Sequence, residues 1–569
     1  MDRSFLLKLL LLTEIVILLG NAVAISRDYK DSWILEGLEI PFVLFVATYA
    51  LAFFSEKKVT SMVLLAVIGR FTFLLIPNLK YNWFHGTAID QHIQYAMANH
   101  VYTEGYIATQ GPSTATIYGS TPFVHLTFAI FSIVLNMPVV DSVKYVPVFL
   151  SPIYPLLTYA IMKKIKFSRV KTALKYAVFI SSIPISSQNY VVTGSQFGVL
   201  LAFLVLGSLV MFFEKNDPRH FFVFIFFTFA LATAHSASSL LLTIFLLTIM
   251  LLQKISYFRL KSYLNVPQIF AATLICVAWL CFPAKRAFEK INRLVFVGAL
   301  AGTTPQAEQI TPRFFELARA DILAALKTFL VFYGADIFLL LLTFASLIIL
   351  LKRLKQLDNT SKFLFLMCGV TLLSMPLAFL SKLGLFRVLH FSSPLFPIFT
   401  SIFILHACKR RKWLITVVFL LVILLAPFRL YKCQPLIPSA NVLKKDLPAS
   451  EPIVYATNVN SIYQRQMIEF TSNYVRGGIA CDLVTREQII GLTDFSFSVA
   501  YITGYYPLDK RQLEKRYDYF LIHLPGASGP FNEQAEMRTR DLILEAIYNS
   551  SVIYTNGESY TLTHSPIQQ

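Results

Sequence analysis

Between Tyr81 and Ser120 the chain gathers groups able to move a proton or hold a polar ligand. His85, Asp90, His92, His100 and Glu104 all fall there, three of the ten histidines with one aspartate and one glutamate. Asp90 and His92 are two apart, and His100 and Glu104 follow. On a helix Asp90 and Gln94 share a face, as do His100 and Glu104, because residues four apart stack on one side. A carboxylate held there can take a proton from a hydroxyl, or bind a metal ion that does so. It can equally cap a helix, since Asp ahead of Ile93-Gln-Tyr-Ala-Met97 is a good N-terminal residue. The residues alone leave both readings open. His85, His92, His100 and His125 with Asp90 also suit a transition metal, but their spacing matches no short metal signature. The expectation is a site without a metal or other cofactor.

The elements that position this loop are membrane helices. The chain is 56% hydrophobic and 14% charged, with 51 Phe among 569 residues, which excludes an ordinary soluble protein. Apolar windows recur, each long enough to cross roughly 30 Å of hydrocarbon as a helix. They lie near 4–24, 36–54, 60–77, 144–163, 172–187, 194–213, 219–234, 236–253, 267–283, 332–351, 361–380, 388–406 and 411–427. The N-terminus resembles a secretory signal, with Ala22-Val-Ala24 like a cleavage site, but the many spans downstream favour a retained first helix.

The formal charge of +18 is no nucleic-acid footprint, because Lys and Arg cluster between spans. The clusters are at 57–58, 163–171, 254–261, 352–355 and 409–412. All fall on the cytoplasmic side, as the positive-inside rule asks, only if the apolar segment 121–137 does not cross. The expected topology therefore has about thirteen spans, with a cytoplasmic N-terminus and one large external loop at 78–143. Segment 121–137 is a juxtamembrane helix within that loop. After Pro427 the chain turns polar. Residues 430–569 are expected to form a small external α/β or α+β domain, with strands at 452–456 and 519–523, a helix at 539–548, and a hairpin turning at Asn556-Gly557. Cys433 and Cys481 lie in it, bridged or free; Cys276, Cys281, Cys368 and Cys408 read as core residues of spans.

The order of span, Asp90-x-His92, Glu104-Gly105, Tyr118-Gly-Ser-Thr-Pro122-Phe-Val-His125 and a basic-tailed span resembles the GT-C class of integral-membrane glycosyltransferases. That class includes protein O-mannosyltransferases, oligosaccharyltransferases of archaea and bacteria, and enzymes that add sugars to lipid A. The layout covers roughly residues 60–430, and the tail looks like those of archaeal members. The resemblance implies a GT-C-like transmembrane domain over 1–429, with an acidic residue of the first external loop as catalytic base or metal ligand. Asp90 stands at that position, and Pro122 and His125 match the motif that opens a juxtamembrane helix. It also implies a polyprenyl- or dolichyl-phosphate sugar as donor, and a lipid, glycan or protein as acceptor, at the cell membrane. The second external turn, 187–196, has no acid, and the tail has no Trp. These departures from oligosaccharyltransferases favour a metal-independent monosaccharide transferase.

Further substrate-binding candidates are His92, Glu104 and His125, together with His235 between two spans, Arg387 at an external span end and Arg70 within a span. Arg387 could hold a lipid phosphate or anchor at the interface. A buried Arg70 needs a partner, for which Asp90 and Glu104 are the candidates. The external segment 283–327, rich in both charge signs, is a surface loop or a mobile lid. The rival functions are a polymerase or ligase of surface polysaccharide, which would rely on Arg and His in a large external loop, and a transporter or flippase. A transporter should show polar or broken helices at mid-membrane and often a duplicated pattern, and the sequence shows few intramembrane acids and no duplication.

Overall fold

The computed structural model describes residues 2–27, 39–80, 89–107, 119–165, 170–184, 194–215, 217–252, 266–285, 288–289, 322–374, 388 and 391–407, with Phe470, Tyr474 and five strands beyond them. The helices are α1 (Arg3–Arg27), α2 (Glu39–Ser55), α3 (Val59–Lys80), α4 (Ile89–Glu104), α5 (Pro122–Leu135), α6 (Val139–Leu150), α7 (Ile153–Met162) and α8 (Val170–Ser182). They continue with α9 (Gly194–Lys215), α10 (Pro218–Ala234), α11 (Ser236–Leu252), α12 (Val266–Cys281), α13 (Ile322–Leu351), α14 (Asn359–Leu373) and α15 (Phe396–Ala407). By length and composition alone, Arg3–Val23, Val59–Ile76 and Val139–Met162 can each cross a membrane. Nine shorter apolar helices accompany them among the described residues.

The apolar windows coincide with helices along most of the chain. The exceptions have local causes. The window at 144–163 is two helices, because Pro152 and Pro155 lack the N–H groups that would carry the backbone ladder from α6 into α7. The window at 332–351 starts early: α13 begins at Ile322, so 322–327 of the expected surface loop is helical. Ala324, Ala325 and Leu326 are strong helix formers, and helical propensity does not end where hydropathy ends. The window at 411–427 lies outside the described residues.

One apolar core runs through the helices. Its densest part is aromatic. Tyr49 and Phe53 of α2 and Phe73 of α3 meet Phe179 of α8 or one another at centroid separations of 5.2 to 6.0 Å. The Tyr49 ring lies against Gly69, where a Cβ would come within 2.5 Å of it. Two cations close helix ends within this core. Arg70 of α3 donates to the Ser181 carbonyl at 3.0 Å, at the end of α8. Lys175 of α8 donates to the Phe54 and Glu56 carbonyls at the end of α2, at 2.7 and 3.1 Å. Last-turn carbonyls lack intrahelical donors and carry the negative end of the helix dipole, so a cation suits both places.

The C-terminal strands are β1 (Ile479–Cys481), β2 (Val499–Tyr501), β3 (Tyr519–His523), β4 (Ser551–Thr555) and β5 (Ser559–Thr563). They form one sheet in the order β2-β1-β3-β5-β4. β1 runs parallel to β2 and β3, and β5 antiparallel to β3 and β4. The β4–β5 hairpin brackets Asn556-Gly557, and β3 coincides with the strand expected at 519–523. The expected strand 452–456, helix 539–548 and Cys433 lie outside the described residues.

Candidate functional site

Two helices of the first long loop are seen. α4 spans 89–104 and contains Asp90, His92, His100 and Glu104. The side chains of Asp90 and His92 lie outside what is described, and so does His85. Gln94, Ala96, Met97 and Ala98 are buried where α4 packs on α5 and α6. The last turn of α4 is exposed at Tyr102, Thr103 and Glu104. It is closed by Gly105, whose φ of 75° puts it in the left-handed region and whose N–H reaches the Val101 carbonyl at 3.0 Å. Gly takes that conformation without a Cβ clash, so Glu104-Gly105 is a helix ending as well as a sequence motif. His100 packs edge-on against Tyr106, with ring centroids 4.8 Å apart.

α5 starts at Pro122, its first helical residue, where a missing N–H costs nothing. It stops at Asn136, in left-handed conformation with φ 49°, and Met137 N–H returns to the Ser132 carbonyl. Its 14 residues reach about 21 Å at 1.5 Å per residue, short of a bilayer core of roughly 30 Å. One side, with Val124, His125 and Phe128, is fully buried, while Ile130, Ile133, Val134 and Leu135 are exposed. His125 is therefore an interior residue of this helix.

Three contacts fix α5 against the helix ends around it, and a fourth seats the tryptophan that makes one of them. Trp279 Nε1 of α12 donates to the Ser120 carbonyl at 3.0 Å, just ahead of Pro122. The same indole packs edge-on against Phe229 of α10 at 6.0 Å. Phe128 meets Phe197 of α9 edge-on at 5.5 Å. Ser142 Oγ of α6 donates to the Phe128 carbonyl at 2.7 Å.

His235 sits beside Phe197's neighbour. It is the single extended residue (φ −156°, ψ 104°) between α10 and α11. Its Nδ1 accepts the Ser238 N–H at 3.2 Å and lies 2.7 Å from Ser238 Oγ. Because a backbone N–H must donate, Nδ1 is the acceptor there, and the ring proton is placed on Nε2. His235 thus caps α11. A Cβ at Gly198 would come within 2.7 Å of His235 Cβ and 2.8 Å of Ser238 Oγ, so α9 approaches this turn only because residue 198 is Gly. α5 with His125 and the turn with His235 are in this way brought against adjoining parts of α9.

Of the other expected residues, Arg387 lies outside the described residues. Its neighbour Val388 is buried against Leu241, Leu340 and Leu372, on α11, α13 and α14. Arg70 is 3% exposed, with its guanidinium over the Tyr154 ring at 4.9 Å besides its bond to Ser181. The pairing of Arg70 with Glu104 is not formed: Glu104 is exposed at the end of α4, away from the buried guanidinium. Sequence reasoning missed Trp279 and Gly198. Both act through partners far along the chain, and neither belongs to a local motif.

No protein-family model matches the sequence, and no curated protein matches it significantly. Solved structures do match. The Archaeoglobus fulgidus oligosaccharyltransferase in complex with Zn and sulfate aligns at TM-score 0.51 and 11% identity, over 89% of this chain and 74% of that one. Archaeal oligosaccharyltransferase AglB from the same organism, in complex with an inhibitory peptide and a dolichol-phosphate, aligns at TM-score 0.50 and 10% identity, over 90% and 75%. In fold, the chain resembles the GT-C membrane glycosyltransferases. ArnT from Cupriavidus metallidurans bound to undecaprenyl phosphate also aligns, at TM-score 0.46 and 9% identity, over 90% of this chain and 99% of that one.

Proposed function

We propose that the chain is a membrane glycosyltransferase that moves a sugar from a polyprenyl- or dolichyl-phosphate donor to a lipid, glycan or protein acceptor on the external face. The observation that carries this reading is the GT-C fold over about nine-tenths of the chain, in which a relative has been captured with dolichol-phosphate and a peptide. The short, half-exposed α5 supports a juxtamembrane position for 121–137, which keeps every basic cluster on the cytoplasmic side. In this arrangement 1–429 is the transmembrane domain, loop 78–143 carries the site, and 430–569 is an external domain.

Asp90 is the general base. It takes the proton from the acceptor hydroxyl as that oxygen attacks the anomeric carbon. The bond from that carbon to the phosphate oxygen breaks, and polyprenyl phosphate leaves with the electron pair. His92, Glu104, His125 and His235 line the substrate, and Arg387 receives the phosphate. Arg70 holds α3 to α8 and serves the site indirectly.

The test is sugar transfer in membranes from a panel of radiolabelled polyprenyl-phosphate sugars to endogenous acceptors. Wild type transfers one of them, while Asp90→Asn and Asp90→Ala lose at least about a hundredfold at matched expression. Transfer that survives both substitutions removes Asp90 from catalysis. No transfer from any donor overturns the reading and turns attention to transport of a glycolipid.

A further inference from the structure

Gln94 has no role in the reaction just described, yet among the described side chains of α4 it has both of its polar atoms buried without a partner. It is 0% exposed. Neither Oε1 nor Nε2 has a hydrogen-bond partner among the described residues. Buried carboxamides are almost always paired, because stripping one of water without replacing its bonds costs stability. A residue kept for packing alone would be Leu or Met at this position, with no such cost. Gln94 follows Asp90 by one helical turn on the same face of α4. The next position on that face, Ala98, is also 0% exposed and carries only a methyl group.

We propose that Gln94 reads a pair of adjacent hydroxyls on the transferred sugar, its amide N–H donating to one and its carbonyl oxygen accepting from the other. This deepens the glycosyltransferase reading and rests on it. A carboxamide sets a donor beside an acceptor, and a vicinal diol can answer both, since each hydroxyl donates and accepts. The group is neutral, so it suits the sugar rather than the lipid phosphate, which calls for a cation. A site of this kind discriminates strongly. A sugar lacking the hydroxyl leaves the carboxamide unpaired in the bound state, whereas an apolar pocket barely distinguishes the two.

The experiment uses the full-length protein in membranes and the polyprenyl-phosphate sugar that wild type transfers, together with each of its monodeoxy analogues. Wild type should reject one or two adjacent deoxy positions by about a hundredfold or more in kcat/KM. Gln94→Leu and Gln94→Met should transfer the parent sugar more slowly and lose that rejection, parent and analogue falling within about threefold of each other. Their melting temperatures should equal or exceed that of wild type, because an unpaired buried amide has been replaced by an apolar group. Unchanged discrimination in the variants overturns the proposal, as does wild type that accepts every deoxy sugar equally. A uniform loss over all donors with a lowered melting temperature assigns Gln94 to packing and also overturns it. Absence of transfer by wild type from every donor is a different result, and it overturns the glycosyltransferase reading first.

Discussion

At the residue scale, the chemistry is carried by few groups and supported by close approaches that only small residues allow. Gly198 is one. A methyl group there would press on His235 Cβ, an atom fixed to the backbone, so Gly198→Ala should destabilise by about 1–3 kcal/mol and displace the His235 turn. Gly207→Ala meets instead the tip of the Leu157 side chain, which can rotate, and should cost less. Thermal unfolding of the two variants in detergent checks the order. Equal losses would mean that the turn yields as easily as a leucine methyl. Glu56 gives a prediction in pH. Its carboxylate accepts from Lys8 Nζ and from the N–H groups of Lys58 and Lys57, which holds its pKa at about 2 against an ordinary 4.5. A depressed folded pKa stabilises the native state above the unfolded value, and that contribution is lost as pH falls from about 4.5 toward 2. The melting temperature of Glu56→Gln should therefore fall less than that of wild type between pH 5 and pH 3.

At the element scale, the proposed site rests on α5. This helix is buried on one side, exposed on the other, and tied to α12 by the bond from Trp279 to Ser120. Trp279→Phe keeps a ring against Phe229 and removes the donor. It should cost about 1 kcal/mol in stability and lower transfer by more than that loss explains, because the start of α5 is released. Stability and transfer measured on the same preparation separate the two effects. A fall in stability with unchanged transfer would show that the Ser120 end of α5 is remote from the chemistry. The end of α8 explains why a charged Arg70 is tolerated in a span. The guanidinium completes a helix whose last carbonyls have no donors of their own.

At the scale of the whole molecule, orientation is the property to test. The proposed topology puts the 163–171 cluster inside and the end of α4 outside. With a membrane-impermeant maleimide, Tyr106→Cys should label in intact cells, above the wild-type background. Lys164→Cys should label only once the membrane has been opened. Labelling of both in intact cells would make α5 a crossing helix and put the 163–171 cluster outside. The reverse pattern would invert the whole chain and move the loop, with Asp90, to the cytoplasm.

Much of the helical layout was legible in the sequence, because hydropathy is set by composition over a window and a lipid-facing backbone has no alternative to the helix. The positions of α9 to α12, the strand at 519–523 and the hairpin around Asn556-Gly557 follow from such local signals. Asp90 and Gln94 could be placed one turn apart from spacing alone. Sequence did not show that Gln94 is buried without a partner, that Arg70 reaches the Ser181 carbonyl rather than Glu104, or that His235 caps α11 under Gly198. Each of these joins residues that the tertiary fold brings together or encloses. Burial and pairing are properties of that packing, and no periodicity along a single chain encodes which helix end will lie against which.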